Sequence, residues 1–161
     1  MNASIRSASA RTRFSLDTNV LIYSINASEA AKHAVAATIV DAAVDSDCVL
    51  TLQSISDFYW AVTRKRMMPS VAAAELAENW LTIFPLVGYG VSAIKTALGE
   101  AVAGRTSYWD ALLLATASEA ECTMILSEDM ADSRVLGGVQ IHNPFTEAPA
   151  LTDLTRQLLG R

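Results

Sequence analysis

Four aspartates, Asp17, Asp57, Asp110 and Asp129, are the residues of this 161-residue chain whose type and placement could do chemistry. Asp17 closes the apolar run Arg13-Phe14-Ser15-Leu16, and Asp57 follows the β-forming run Cys48-Val49-Leu50-Thr51-Leu52. Asp110 lies three residues after Ser107 at the head of an apolar helix, and Asp129 follows the run that ends at Leu126. In an open parallel sheet ligands bind outside the carboxyl ends of the strands, so all four positions fall on one edge. Carboxylates gathered there repel one another and resist burial, and cations are the simplest remedy. Hard oxygen donors with room for water and phosphate suit Mg2+ or Mn2+. Such an ion acidifies water and stabilises charge on phosphoryl oxygens, which is the chemistry of phosphodiester hydrolysis. His33, inside a long helix, and His142, in a final turn, are expected to be bystanders.

Each aspartate also has a purely structural reading. Asp57 and Asp110 stand three residues after Ser54 and Ser107, the spacing of a helix capping box with Asp in place of the usual Glu or Gln. Asp17-Thr18-Asn19 and Ser127-Glu128-Asp129 could be turns. Burial favours chemistry at Asp110, because Ala111-Leu112-Leu113-Leu114-Ala115 makes its helix apolar on nearly every face, and a buried unpaired carboxylate costs several kcal/mol.

The elements that must position these acids can be read from pattern. Strands are predicted over 13–16, 48–52, 86–88, 122–126 and 139–141. Helices are predicted over 28–44 with Ser28 as N-cap, from Ser54 to the cationic Arg64-Lys65-Arg66, over 72–84, over 92–103 and from Ser107 to about 121. Strands alternate with helices, and no Asn-Gly or Asp-Gly hairpin signal intervenes. The fold class is therefore α/β, a three-layer α/β/α sandwich around a central, mostly parallel sheet. The predicted organisation is a disordered tail over 1–12, one domain over 13–146, and a tail or short helix over 147–161.

Composition sets limits. The chain is 52% hydrophobic, its two cysteines, Cys48 and Cys122, lie in apolar stretches without ligand spacing, and its apolar runs are interrupted by charges. A protein of the cytoplasm with free buried thiols, and no membrane span, is expected. A net charge of −5 argues against a passive nucleic-acid binder, yet metal ions and a local basic patch would let an enzyme approach RNA.

Four blocks, Leu16-Asp17-Thr18-Asn19-Val20-Leu21-Ile22-Tyr23, Gln53-Ser54-Ile55-Ser56-Asp57-Phe58-Tyr59, Ser107-Tyr108-Trp109-Asp110-Ala111-Leu112 and Leu126-Ser127-Glu128-Asp129-Met130, with the closing Asn143-Pro144-Phe145, resemble PIN-domain proteins, especially the toxins of VapBC-type toxin-antitoxin modules. The resemblance covers about 14–145. It implies a Mg2+- or Mn2+-dependent endoribonuclease with Asp17, Asp110 and Asp129 at the acidic positions, Ser127 bonding within the site and Asn19 orienting the Asp17 loop. The second acid of the family is usually Glu, so Asp57, one methylene shorter, is the least certain ligand. Glu128 is expected to be a solvated neighbour and Asp132 at most an outer-shell group. The resemblance also implies an RNA substrate, a cognate antitoxin and a homodimer. Arg64, Lys65, Arg66 and Arg105 are the candidates for RNA phosphates, and most of Phe58, Tyr59, Trp60, Tyr108 and Trp109 are expected in the core.

Competing readings fit less well. A haloacid-dehalogenase-like phosphatase wants a second Asp where Asn19 stands, a receiver domain wants a late lysine, and a dinucleotide fold wants Gly-x-Gly-x-x-Gly. The remaining rival is a catalytically weak PIN-like module that binds antitoxin or RNA without cutting.

Overall fold

The computed structural model describes residues 12–147 and 150–161. Its middle strand, β1 (Phe14–Leu16), is fully buried, which accounts for a run too short and too apolar to be amphipathic. β1 pairs in parallel with β4 (Met124–Leu126), Phe14 opposite Met124 and Leu16 opposite Leu126. On its other side an isolated parallel bridge joins Phe14 to Cys48, at the entry to β2 (Leu50–Thr51). β2 pairs in parallel with β3 (Leu86–Val87), β4 in parallel with β6 (Val139–His142), and β5 (Val135–Leu136) closes the far edge antiparallel to β6. Across the two hydrogen-bonded sets and the bridge between them, the order is β3-β2-β1-β4-β6-β5.

Seven helices are described: α1 (Thr18–Tyr23), α2 (Ala30–Ala43), α3 (Leu52–Arg64), α4 (Ser70–Ile83), α5 (Val91–Val102), α6 (Tyr108–Glu119) and α7 (Asp153–Leu158). Alternation along the strands assigns them to layers. Met124 and Leu126 face a core built with residues of α1 to α4, among them Leu21, Ile39, Phe58 and Trp80. Ile125, between them, faces the opposite core with Leu113, Leu114 and Ala117 of α6 and Val139 and Ile141 of β6. α5 lies outside α6 against Ala111 and Ala115, with Ala93 and Ala97 as its own small contact residues. Helices therefore cover both faces of a mostly parallel sheet, the three-layer α/β/α arrangement read from the sequence. Among the described residues no helix is long and apolar enough to cross a membrane.

Several local expectations are corrected. The helix expected over 28–44 is α2, which starts at Ala30 with Glu29, not Ser28, in the cap position and making no side-chain cap bond, and it is preceded by a helix not expected, α1, which begins directly after Asp17. Ser28 instead donates to Asn26 Oδ1 at 2.7 Å. The strand expected to run to Leu52 stops at Thr51, because Thr51 caps α3 by accepting from the Ser54 amide at 3.0 Å. Ser54 is thus inside the helix, Asp57 stands in its second turn, and no Ser54–Asp57 capping box forms. The Ser54 hydroxyl donates to the Leu16 carbonyl at 3.0 Å, tying α3 to the end of β1. A hairpin also exists where none was expected: β5 and β6 turn through Gly137 and Gly138 at φ 59 and 81. A Gly-Gly pair supplies the left-handed conformation as Asn-Gly does.

The disordered tail expected over 1–12 lies outside the described residues except for Thr12. At the other end, α7 packs onto the main core through the buried Leu159, with Leu151, Leu154 and Leu158 around it.

Phe58 is fully buried in edge-to-face contact with Trp80, ring centroids 4.7 Å apart, whereas Trp60, two residues on, is mostly in solvent. Phe58→Ala should cost about 3–5 kcal/mol in urea unfolding, and Trp60→Ala less than about 0.5 kcal/mol. Similar costs at the two positions would contradict the assignment of faces on α3.

Candidate active site

β1 ends at Leu16 and α1 starts at Thr18, so Asp17 is the single residue of the junction. Its backbone amide donates to the Leu126 carbonyl at 2.9 Å, which extends the β1–β4 pairing by one bond. Its side chain, at the N-cap of α1, accepts from the Thr18 amide at 2.6 Å, from Asn19 Nδ2 at 3.0 Å and from Ser127 Oγ at 2.7 Å. The two side-chain donors are themselves fixed. Asn19 Oδ1 accepts from the Glu128 amide at 3.3 Å, and Ser127 Oγ accepts from the Met130 amide at 3.4 Å. Both residues are buried. Three donors would ordinarily hold a carboxyl acidic. Burial outweighs them here, and with Asp129 and Asp110 nearby it pushes the Asp17 pKa up to about 6.

Asp17, Asp57, Asp110 and Asp129 line one cleft of about 400 Å³. Asp110 is placed by the start of α6, where Ser107 caps the helix by accepting from the Asp110 amide at 3.1 Å. That is half of a capping box. The Asp110 side chain faces the cleft while the seven residues behind it, 111–117, are all buried. Asp129 sits in the loop after β4, beyond the Ser127 that bonds Asp17. Asp57 and Asp129 are the exposed members of the four, and at Asp57 burial still raises the pKa while a hydrogen bond from Gln53 opposes the rise.

No three His, Cys, Asp or Glu side chains among the described residues stand close enough to enclose a metal ion unaided. Mg2+ commonly takes only one or two carboxylates and keeps several waters, and an oxygen-only donor set around a poorly solvated carboxylate fits that habit. Asp17 with Asp110 or Asp129 could hold such an ion.

The remaining candidates divide. Arg64 lies over the Trp60 ring, 4.6 Å from its centroid, beside the cleft. Lys65 is the C-cap of α3 and Arg66 follows it at φ 52. Arg105 forms two bonds to Glu100, at 2.7 and 2.8 Å, so its charge is already paired. Glu128 is no free solvated neighbour: it bonds Lys32 Nζ at 2.5 Å. Asp132 accepts from the Asn143 amide at 2.8 Å and is occupied in shaping that loop. His33 Nδ1 meets the Tyr23 carbonyl and His142 Nε2 the Thr152 hydroxyl, and neither lines the cleft.

Contrary to expectation, Trp60 and Trp109 are exposed, and both line the acidic cleft. Gln53, another lining residue, had no assigned role; its Nε2 donates to the Trp109 carbonyl at 3.1 Å. A helical stripe would have found two of the three, since Gln53, Asp57, Trp60 and Arg64 recur at spacings of three and four.

A carboxyl whose pKa is raised by folding favours the folded state fully below its unfolded value and loses that contribution as pH rises through its folded value. For Asp17 the window runs from 3.8 to about 6. Metal-free protein should therefore gain about 1 kcal/mol of stability from this group between about pH 7.5 and pH 5. Denaturant unfolding of the parent and Asp17→Asn at both pH values isolates the effect, and an identical pH dependence in the two proteins would contradict the burial of this carboxyl.

No protein-family profile and no curated protein sequence matches this chain. Solved structures do. VapC20 of Mycobacterium tuberculosis, described as a sarcin-ricin loop cleaving toxin, aligns with a TM-score of 0.57 and 18% identity over 72% of this chain and 89% of its own. A chain of VapBC2 from Rickettsia felis, solved bound to a DNA fragment from its promoter, aligns with a TM-score of 0.59 and 10% identity over 82% of this chain and 98% of its own. At such identities the likeness speaks for backbone architecture: this chain has the PIN-domain fold of those toxin-antitoxin structures.

Proposed function

We propose that this chain is a Mg2+- or Mn2+-dependent endoribonuclease, the toxin of a type II toxin-antitoxin pair. The observation that carries the reading is the convergence of Asp17, Asp57, Asp110 and Asp129 on one cleft from four separate segments of the chain. Structural capping explains part of Asp17 and the Asp110 amide, but not why four carboxylates face the same space. The likeness to VapC20, a toxin that cleaves the sarcin-ricin loop, adds the substrate class, RNA, and the likeness to VapBC2 adds an antitoxin partner. A homodimer working in the cytoplasm completes the proposal, with Cys48 and Cys122 as buried free thiols.

A divalent cation in the cleft would acidify water and offset charge on the phosphodiester. The chain supplies the geometry. Asn19 and Ser127 orient the Asp17 carboxylate, and α6 fixes Asp110 on the same cleft through seven buried residues. Asp129 completes the wall on the β4 side. Asp57, reachable from solvent and carried on α3, would accept the proton of the attacking water, since no histidine lines the cleft.

The exposed, shortened Asp57 favours one second reading, a module that binds antitoxin or RNA and cuts poorly. Cleavage of cellular RNA by the purified chain separates the two. Under the nuclease reading, Mg2+ or Mn2+ supports discrete cuts, EDTA abolishes them, and Asp110→Asn lowers the rate by at least about 100-fold while keeping its melting temperature, the scale seen when one charge-stabilising group is lost. Ser127→Ala should lose about 10–100-fold by releasing Asp17. A folded parent that binds Mn2+ and leaves all RNA intact would favour the binding module.

A further inference from the structure

Two of the three tryptophans, Trp60 and Trp109, stand at the mouth of the acidic cleft with 58% and 62% of their surface in solvent. The third, Trp80, is buried. Leaving that much indole in water forgoes stabilisation that burial would give, so a function at the surface is the natural reading. Both rings are held in place. Arg64 covers one face of Trp60 at 4.6 Å, and Tyr108 meets Trp109 edge to face at 5.1 Å while Gln53 holds the Trp109 carbonyl. A second hollow of about 380 Å³ adjoins the cleft, sharing Gln53, Asp57 and Trp109 and walled further by Leu52 and Tyr89. Two hollows therefore lie side by side with common walls, the acidic one lined by both indoles and the other by Trp109 and Tyr89.

The chemistry that fits a flat, rigid aromatic surface beside a phosphate site is a nucleobase. We propose that Trp60 and Trp109 stack bases of the strand whose backbone crosses the acids, so that the scissile phosphodiester is presented between unpaired, splayed nucleotides. The inference rests on the ribonuclease reading and adds how the substrate is gripped. Bases within a duplex are already stacked on one another and have no free face to offer. A protein partner is the other possible occupant. RNA is favoured because both indoles share their cleft with the four acids, and because Arg64, in no ion pair among the described residues, brings positive charge to an otherwise acidic mouth.

Indole fluorescence reads this contact directly, since a stacked base quenches it. The titration uses Asp110→Asn protein in Mg2+ with a randomised single-stranded RNA oligonucleotide and, separately, the same pool annealed to its complement. Quenching by the single strand and little by the duplex is expected. Trp60→Ala and Trp109→Ala, added singly, should each weaken binding by about tenfold, and Phe at either position should restore most of it. In the active background each Ala substitution should raise KM more than it lowers kcat.

Equal affinity of both Ala variants for the single strand, or duplex bound as tightly as single strand, would overturn the inference. So would Ala variants that keep RNA affinity and change their elution in gel filtration, which would assign the indoles to a protein interface. A parent that cuts RNA while the Ala variants keep its KM removes the stacking and leaves the nuclease. A parent that binds single strands with quenching and never cuts keeps the stacking and removes the nuclease. A folded parent with no RNA affinity removes both.

Discussion

A carboxylate in a poorly solvated place must be held by donors on all sides or drawn to a cation, and Asp17 is the residue on which this chain imposes that condition. Its position leaves no freedom. The amide belongs to the sheet through Leu126, the carboxylate caps α1 through Thr18, and Ser127 reaches it from the neighbouring strand's end. Two parallel central strands thus meet in a single side chain. Its pKa near 6, set mainly by burial, means that the available hydrogen bonds fall short of what water would supply. The shortfall is what a divalent ion would make good.

The rest of the fold reads as support for that arrangement. Parallel pairing of β1 with β4 and of β4 with β6 sends the strand ends to one edge, where Asp17 and Asp129 emerge together. Ser54, bonded to the Leu16 carbonyl, fixes the head of α3 and with it the face bearing Gln53, Asp57 and Trp60. α6 is buried along 111–117, so Asp110 is anchored by packing as well as by the Ser107 cap. Acid positions carried on buried strands and helices are more precise than positions on loops. Asp129, on a loop, depends on the Ser127–Met130 turn to hold its place.

Much of this was legible in the residues. The four acids, the short apolar strands and the alternation with helices were enough for a three-layer sheet and for a shared edge. What was not legible has physical causes. α1 is six residues long and has no amphipathic period to find. Thr51 and Ser54 are both competent caps, and only tertiary contact with Leu16 decides between them. The Gly137-Gly138 hairpin carries neither Asn-Gly nor Asp-Gly, and β5, only two residues long, is too short for a strand alternation to show. Trp60 and Trp109 are large and apolar, so composition places them inside, while the α3 stripe that Trp60 shares with Asp57 and the α6 start that Trp109 shares with Asp110 bring them to the cleft. Arg105, a plausible phosphate contact by charge, is committed to Glu100, a pairing five residues away in the chain that a helix-spacing rule does not describe.

The net charge of −5 initially weighs against RNA. Within the structure part of that acidity is concentrated in the cleft, where a bound cation would change the sign of its interaction with phosphate. The proposal at the centre of the account is therefore that Asp17, with Asp110 or Asp129, holds a cation in this cleft, and crystals soaked in Mn2+ test it most directly through anomalous diffraction. The account predicts an anomalous peak against the Asp17 carboxylate with Asp110 or Asp129 as a further ligand. A well-ordered cleft with no peak, or a peak confined to acids elsewhere on the chain, would contradict it.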